Sequence, residues 1–248
     1  MPISVKNAGQ IEKMRAAGKV VARALELMER ALRPGVTTAE LNKIAEEYIM
    51  SCGAKPNFKG YDGFPAAACI SVNNEVIHGI PGLRKIKTGD IVSIDLGAVL
   101  DGYHADAART LSAGAAAETA RRLIEVTRQS FFEGMAFAKA GGHLHYISGA
   151  IEDYVTNSGF SVVKSYVGHG IGRELHEEPQ IPNYRPPSRG ARLQKGMTLA
   201  VEPMVNEGSG EVVLLKDGWT VVTEDGKLSA HYENTLVITD SEPEYLTL

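Results

Sequence analysis

Residues 93–110, SIDLGAVLDGYHADAART, read as a buried β-hairpin that carries an acid in each arm. β-Branched and apolar residues lie on both sides of Asp101-Gly102, a dipeptide typical of tight turns between strands. Asp95 lies in the first arm and Asp106 in the second, and the turn, allowing a bulge, is predicted to set them nearly opposite each other. Because an isolated buried carboxylate is costly, the pair predicts a bound partner or a bound proton.

The composition of the 248 residues is typical of a soluble globular chain, with 44% hydrophobic and 23% charged residues. This length suits one large domain or two small ones. The formal net charge of −4 indicates no basic surface for nucleic acid or an anionic membrane. Two cysteines, Cys52 and Cys69, make no disulfide framework, and charges interrupt the first twenty or so residues. We therefore expect a cytoplasmic protein without a signal peptide or membrane span.

The order of predicted elements repeats once along the chain. Apolar residues at helical spacing predict a helix over 8–31, and Thr37 to Glu40 form a capping-box signature for a second helix that ends near Cys52. Strand-like runs follow; helical patterns near 116–139 and 143–158 then precede a second set of strand-like runs. This order favours an α+β architecture of two similar halves, with helices on one face of a common sheet.

Two further acids share the setting of the hairpin aspartates. Glu202 lies in TLAVEPMV and Glu233 in HYENTLVIT, and His169 ends the predicted strand SVVKSYVG. Each acid taken alone is as well explained by a buried ion pair or by backbone hydrogen bonds. As a set, the four acids outnumber the one nearby cation, Arg109. Two divalent ions would balance four carboxylate charges, with the imidazole as a softer ligand, so the residue types favour a metal centre.

Five local motifs occur in order along the chain: YDGFPAAACISVNNEVIHGIP, the DLG and HAD of the hairpin, GHGIGRELHEEP, EPM and YEN. In these motifs, and over essentially its whole length, the chain resembles the methionine aminopeptidases. The resemblance implies one catalytic domain over residues 1–248 with the pita-bread fold, an α+β fold of two pseudo-symmetric helix-helix-strand halves around a curved antiparallel sheet. The short interval between His169 and Glu202 leaves no room for the helical insertion of type II enzymes, so the resemblance is to the short, bacterial-style type I form.

The resemblance implies a site for two divalent metal ions, whose ligands would be Asp95, Asp106, His169, Glu202 and Glu233. By the same carry-over, Asp106 and Glu233 bridge the two ions, Asp95 chelates one of them, and His169 and Glu202 belong to the other. Co, Mn, Fe and Zn all suit carboxylate and imidazole ligands. A hydroxide bridging the two ions would attack the first peptide bond, with Glu202 carrying the proton to the leaving amine.

His78 and His176 match two family histidines that bind no metal. In the family these histidines contact the scissile peptide and stabilise the tetrahedral intermediate. Without the resemblance, ordinary roles are favoured for both residues. His78 would be a strand-end histidine bonded to backbone, and His176 a loop histidine beside two glutamates.

The resemblance also implies a pocket for the methionine side chain. An unbranched thioether needs apolar, polarizable walls, and the matching residues are Tyr61, Phe64, Cys69, Leu175 and Trp219, with Phe58 at the rim. Leu175 stands where a phenylalanine is frequent in bacterial members, and Phe58 stands where a cysteine is frequent. Asn73 and Ser229 match the family's structural site for one monovalent cation.

The implied function is hydrolytic removal of the initiator methionine from nascent proteins and peptides whose second residue is small. The implied partners are the N-terminal methionine of nascent chains and the ribosome, for which the chain carries no motif, and the implied form is a monomer. Two alternatives stay open. One is a proline-directed exopeptidase of the same fold, such as an Xaa-Pro dipeptidase, although those relatives usually carry an extra N-terminal domain. The other is a non-enzymatic binding module, although all five ligand positions are intact here.

Overall fold

The computed structural model describes residues 2–248. The helices are α1 (Ala8–Ala31), α2 (Thr38–Ser51), α3 (Glu118–Met135) and α4 (Leu144–Asn157), with a short 3₁₀ helix at Tyr61–Gly63. The strands are β1 (Lys55–Pro56), β2 (Ala68–Val72), β3 (Glu75–Ile77), β4 (Ile91–Leu100), β5 (Tyr103–Ser112), β6 (Ser161–Val162), β7 (Gly168–Gly170), β8 (Glu177–Ile181), β9 (Thr198–Val201), β10 (Met204–Asn206), β11 (Val212–Leu214), β12 (Val221–Thr223), β13 (Ser229–His231), β14 (Asn234–Val237) and β15 (Glu244–Tyr245). Over residues 2–248, none of the helices combines the length and the apolar character needed to cross a bilayer.

Side-chain caps start the first two helices where the sequence predicts them. Asn7 accepts a hydrogen bond from the backbone N–H of Gln10 at the start of α1. At the start of α2, Thr37 and Glu40 each accept from the other's backbone N–H, which is the reciprocal pair of a capping box. Both helices then present an apolar stripe to the core, so local sequence sets their ends and their buried faces.

Helices α1 and α2 cover one face of the sheet that contains the hairpin. Strand β4 lies at the centre of this sheet and pairs with β1, β2 and β5. Met28 and Leu41 of the helices share one apolar core with Ile94 and Leu96 of β4. Because neighbouring residues of a strand point to opposite faces, Asp95 lies on the face away from the helices. The acidic face of the hairpin is therefore turned toward the second half of the chain.

Helices α3 and α4 cover a second sheet in the same way. Its strand order is β15-β14-β9-β7-β8, and its strands pair antiparallel. Phe131 and Ile147 of the helices pack with Leu199 and Leu236 of the strands. Two three-stranded sheets, β13-β10-β6 and β11-β12-β3, complete the described strands. The predicted α+β order of helix, helix and strands, repeated once, is confirmed.

The hairpin turns through two residues, and its register differs from the predicted one. Asp101 and Gly102 have positive φ angles of 50° and 73°, as a two-residue type I′ turn requires. The ladder then continues without a bulge, so that Gly97, and not Asp95, faces Asp106. The two aspartates lie diagonally on the same face of the hairpin, a separation that side chains still reach across.

The strand predicted over residues 160–168 is two short strands on different sheets. Residues 163–167 between β6 and β7 are irregular, so His169 lies in the middle of β7 and not at the end of a longer strand. Strand β7 pairs with β8 on one side and β9 on the other. Neighbouring strands therefore hold the backbone of His169 from both sides.

The hairpin is tightly packed around Gly97, which faces Asp106 across the ladder. A Cβ atom there would lie 2.4 Å from Asn57 Oδ1 and 2.8 Å from the carbonyl oxygen of Ala105. We expect Gly97→Ala to lower the free energy of unfolding by about 1–3 kcal/mol, the usual cost of overpacking. Gly82→Ala is the control, because a Cβ there would have no described heavy atom within 4 Å. Denaturant unfolding of both variants measures the difference, and equal midpoints would show that the hairpin has room for the methyl group.

Candidate metal centre and substrate cleft

Four strands bring four carboxylates into one cleft. Asp95 of β4 and Asp106 of β5 come from the first half, whereas Glu202 directly follows β9 and Glu233 directly precedes β14. Ala108 of β5 and Glu233 exchange backbone hydrogen bonds of 2.9 and 3.4 Å, which join the two halves at this point. Acids that are far apart in the sequence therefore share one site because the halves pair directly beside it.

His169 completes the cluster as a neutral imidazole. One ligand atom from each of Asp106, His169 and Glu233 lies within 4.8 Å of the others, and His169 Nε2 lies 3.6 Å from Glu202 Oε1. Burial lowers the pKa of His169 to about 3, and its Nδ1 lies 2.9 Å from the carbonyl oxygen of Gly170. A neutral ring that donates from Nδ1 keeps the lone pair of Nε2 free, which is the tautomer that a metal ligand needs.

The carboxylates have too few partners of their own. Over the described residues 2–248, Asp95 Oδ1, Asp106 Oδ1 and Glu233 Oε1 are buried without a hydrogen bond. Burial raises the pKa of Asp106 to about 7. Burial first, and repulsion between neighbouring acids second, raises the pKa of Asp95, Glu202 and Glu233 well above the usual range. In their ionised form these groups therefore need a compensating positive charge.

Arg109, the nearby cation in the sequence, is directed elsewhere. Its guanidinium donates to Asn234 Oδ1 at 2.7 Å and to the backbone carbonyl oxygens of Glu233 and Thr247. It also lies over the ring of Tyr232, 4.5 Å from the centroid. Carboxylate oxygens without partners, beside an imidazole nitrogen with a free lone pair, are the donors that divalent transition metals and zinc prefer. The residues of the cluster therefore fit a divalent metal centre.

The cleft has an apolar end beside the acids. Phe64 and Trp219 meet edge to face there, with ring centroids 5.1 Å apart. Burial raises the pKa of the Cys69 thiol, so this side chain stays protonated and forms a small apolar wall. The acids, the histidines and the wall residues predicted from the sequence all line this cleft: Phe58, Tyr61, Phe64, Cys69, His78, Asp95, Asp106, His169, Leu175, His176, Glu202, Trp219 and Glu233.

His78 and His176 contribute two more neutral rings to the cleft. The Nδ1 atom of His176 lies 2.7 Å from the hydroxyl oxygen of Tyr61. His78 has a φ angle of 58°, an uncommon conformation for a residue with a side chain, and its ring packs edge-on against Tyr166 and Trp219. Burial lowers the pKa of both histidines, that of His78 to about 4. Both rings therefore act as hydrogen-bonding groups without charge.

Asn73 and Ser229 lie next to each other, outside the residues that line the cleft. The backbone N–H of Ser229 donates to the carbonyl oxygen of Asn73 at 2.9 Å. The side chain of Asn73 bonds to Asp90 and to the backbone of Ile91, and Ser229 Oγ donates to Asn206 Oδ1. The structure brings the two residues together, and the monovalent-cation site stays a prediction.

Sequence analysis missed two polar residues beside Glu202. His231, only 1% exposed, has its Nε2 atom 3.6 Å from Glu202 Oε2, and within the described part of the chain neither of its ring nitrogens has a hydrogen bond. Asn183 Nδ2 donates to the backbone carbonyl of Glu202 at 3.0 Å. His231 lies two residues before Glu233, a spacing that puts both side chains on one face of an extended chain. That spacing is the signal that could have found His231, whereas no local pattern marks Asn183.

Comparison with known proteins identifies close relatives over nearly the full chain. The model of Metallopeptidase family M24 matches residues 12–240. The methionine aminopeptidase of Clostridium perfringens is 56% identical over 246 residues, which is 99% of this chain and 99% of that protein. The crystal structure of methionine aminopeptidase from Thermotoga maritima superposes with a TM-score of 0.97 at 47% identity, and the match covers 99% of both chains.

A more distant structure shares the fold alone. Prolidase from Pyrococcus furiosus superposes with a TM-score of 0.80 at 24% identity, over 98% of this chain and 65% of that chain. The pita-bread fold implied by the sequence is thus confirmed. The two-halved arrangement of helices and antiparallel strands is therefore shared with a structure outside the methionine aminopeptidases.

Replacing one acid of the cluster by its amide should stabilise the metal-free protein. Asp106→Asn keeps the side-chain shape and removes a carboxyl whose pKa is raised to about 7, so above pH 7 we expect a thermal midpoint about 2–4 °C higher for each kcal/mol of charge burial and repulsion relieved. Excess Mn²⁺ should raise the midpoint of the unchanged protein and not that of the variant. Asp240→Asn, which removes an exposed ion pair with Lys195, is the control and should change little. A lower midpoint for metal-free Asp106→Asn would contradict the repulsion.

Proposed function

The chain belongs to metallopeptidase family M24 and, within it, to the methionine aminopeptidases, and on that premise we propose how its own residues remove an N-terminal methionine. The observation that carries the proposal is one cleft that joins an uncompensated cluster of acids to an apolar, aromatic end. The cluster of acids suits a metal-assisted hydrolysis of the terminal peptide bond. The apolar, aromatic end suits the side chain of methionine. We propose that the second residue of the substrate is small, because His78 and His176 line the cleft where that residue would lie.

Asp95, Asp106, His169, Glu202 and Glu233 would hold two divalent ions, and their oxygen and nitrogen donors suit Co, Mn, Fe or Zn. When bound, such ions polarise a carbonyl group and lower the pKa of water, which supplies a strong nucleophile at neutral pH. The free α-amino group of the substrate enters this end of the cleft. Asn73 and Ser229 are the proposed position of one monovalent cation, at a distance from the reaction.

Glu202 is the proposed carrier of the proton. Its carboxylate lies between the rings of His169 and His231, each 3.6 Å away, and burial together with the charge of Asp106 raises its pKa. A carboxylate of raised pKa is a better base than an exposed one. A carboxylate oxygen of Glu202 therefore takes the proton from the attacking water and passes it to the nitrogen of the leaving peptide.

His78 and His176 are the proposed partners of the reacting peptide group. Burial raises the pKa of Tyr61, so its hydroxyl keeps the proton, and we propose the ring tautomer of His176 in which this hydroxyl donates to Nδ1. That hydrogen bond leaves Nε2 of His176 as an N–H donor. A neutral donor aimed at the developing oxyanion stabilises the tetrahedral intermediate without drawing charge from the neighbouring acids.

The apolar end of the cleft would hold the methionine side chain. Phe64, Cys69, Leu175 and Trp219 offer apolar and polarizable surface to a thioether. Tyr61 and Phe58 complete the proposed wall and rim. Selectivity at this end rests on shape, because these groups hold no charge toward the side chain.

We further propose that residues 1–248 act as one catalytic domain, as a monomer in the cytoplasm, on nascent chains that emerge from the ribosome. The proline-directed alternative finds support from fold alone, since prolidase from Pyrococcus furiosus is 24% identical. The binding-module alternative conflicts with a complete set of five candidate ligands in one cleft.

Turnover of short peptides tests the proposed specificity. We expect cleavage of Met-Ala-Ser and none of formyl-Met-Ala-Ser, because the lone pair of the formylated nitrogen is delocalised into the formyl carbonyl and is a poor metal ligand. Replacing Ala by Leu or Lys should remove most of the activity. Chelated protein is the blank, and each metal is then added back separately. Equal turnover of the free and formylated peptides would contradict the proposal, and preference for Ala-Pro would favour the proline-directed alternative.

Alanine variants of three histidines separate ligands from catalytic residues. His169→Ala should lower both metal content and rate, because the ring nitrogen is a proposed ligand. His78→Ala and His176→Ala should keep both metals and lose roughly 10²–10⁴ in rate, the usual effect of one positioned proton-transfer or oxyanion group. Metal content by mass spectrometry is measured beside kcat/KM. Loss of a metal equivalent in His78→Ala or His176→Ala would refute the five-ligand assignment.

A further inference from the structure

A buried ion pair joins the N-terminal segment to the loop that carries His176. Lys6 Nζ lies 2.5 Å from Glu177 Oε2, and the two side chains are only 3% and 11% exposed. Within residues 2–248, most ion pairs lie on the surface, where such pairs contribute little to stability. A pair shielded from water is different, because removal of one partner leaves the other charge buried without compensation.

Glu177 connects the ammonium of Lys6 to the backbone of the loop. Its second oxygen, Oε1, accepts from the N–H of Arg173 at 2.7 Å and from the N–H of Glu174 at 3.3 Å. The same loop, residues 171–177, places Leu175 and His176 in the cleft. The position of one carboxylate therefore sets the path of the backbone on both sides of these two residues.

The neighbourhood of Lys6 is shaped to hold it. A Cβ atom at Gly172 would lie 2.4 Å from Lys6 Cε and 2.6 Å from Glu177 Oε1, so only glycine leaves room for the pair. The backbone N–H of Lys6 donates to the carbonyl oxygen of Gly196 at 2.8 Å, and Val5 forms a β-bridge with Met197. Lys6 is thus anchored to the chain that leads directly into β9 and Glu202.

We propose that Lys6 is a positioning residue of the peptidase reaction. Its ammonium holds Glu177, Glu177 holds the loop, and the loop presents His176 to the peptide bond and Leu175 to the side-chain pocket. This role rests on the proposed function of the cleft, and it extends the functional unit to a residue that touches neither substrate nor metal ligands.

Lys6→Met removes the charge and keeps a side chain of similar length. We expect kcat on Met-Ala-Ser to fall roughly 10- to 100-fold, because a small displacement of a group at the reacting bond has effects of that size. KM should change less, and metal content by mass spectrometry should not change. Lys6→Arg keeps a cation that reaches Glu177 and should restore most of the rate. Arg15→Met, which breaks the ion pair of α1 with Glu244, is the control and should leave kcat unchanged.

Limited proteolysis measures the order of the loop without any need for peptidase activity. Arg173 is exposed, so trypsin cleavage after this residue, followed by mass spectrometry, reports how well the loop is held. Cleavage should be faster in Lys6→Met than in the unchanged protein or in Arg15→Met. Glu177→Gln removes the charge and keeps an oxygen for the loop N–H groups, so it should show the same increase, and it tests the pair even if Lys6→Met does not fold.

The results separate failure of the positioning role of Lys6 from failure of the proposed peptidase function. If Lys6→Met and Glu177→Gln melt at lower temperature but keep the original kcat and the original cleavage after Arg173, Lys6 has only a structural role and the inference is wrong. If the unchanged protein is inert on Met-Ala-Ser with every metal, the proposed function is wrong, whatever the loop does. Faster loop cleavage together with a selective fall in kcat supports the positioning role.

Discussion

The crowding of four buried or partly buried carboxylates in one cleft is the constraint on which the rest of the structure depends. The hairpin supplies Asp95 and Asp106, and the second half supplies Glu202 and Glu233. Burial raises the pKa of all four groups, and repulsion adds to the shift for Asp95, Glu202 and Glu233, which means that the ionised forms oppose folding. Capped helices and two separate apolar cores stabilise the halves away from the cleft. A local conflict of this kind is expected where a bound group, and not the chain, supplies the compensation.

The fold also keeps competing positive charge out of the cleft. Burial lowers the pKa of His78, His169 and His176, so these rings are neutral beside the acids. A protonated histidine would pair with a carboxylate and block both. Arg109, the closest candidate cation in sequence, is held by backbone carbonyls and by Asn234. Burial therefore makes the ionised acids costly and, because it also keeps the histidines neutral, leaves the acids available for metal ions.

Local sequence patterns were sufficient for the four helices but not for the strand predicted over residues 160–168 or for the pairing of the strands. Helix α2 begins at its predicted capping box because that signal lies within four residues. The predicted hairpin register was wrong because it allowed a bulge, whereas the turn at Asp101-Gly102 joins directly paired strands whose ladder continues without one. His231 and Lys6 matter through Glu202 and Glu177, contacts between distant parts of the chain. The acids could be singled out by their apolar surroundings, whereas pocket walls such as Phe64 look like ordinary core residues and were predicted only through the family resemblance.

The two ends of the cleft must differ in how strongly they discriminate between substrates. An apolar wall distinguishes side chains that differ by one methylene by only about 1–3 kcal/mol, whereas a site built for a polar group rejects an analogue without it by roughly 10⁴–10⁵. Phe64 and Trp219 form an apolar wall, whereas the carboxylate cluster is a site built for a polar group. Recognition of a free amino terminus should therefore be stricter than recognition of the methionine side chain. Because Leu175 lies on the loop that Lys6 and Glu177 hold, the weaker of the two discriminations depends on contacts outside the cleft.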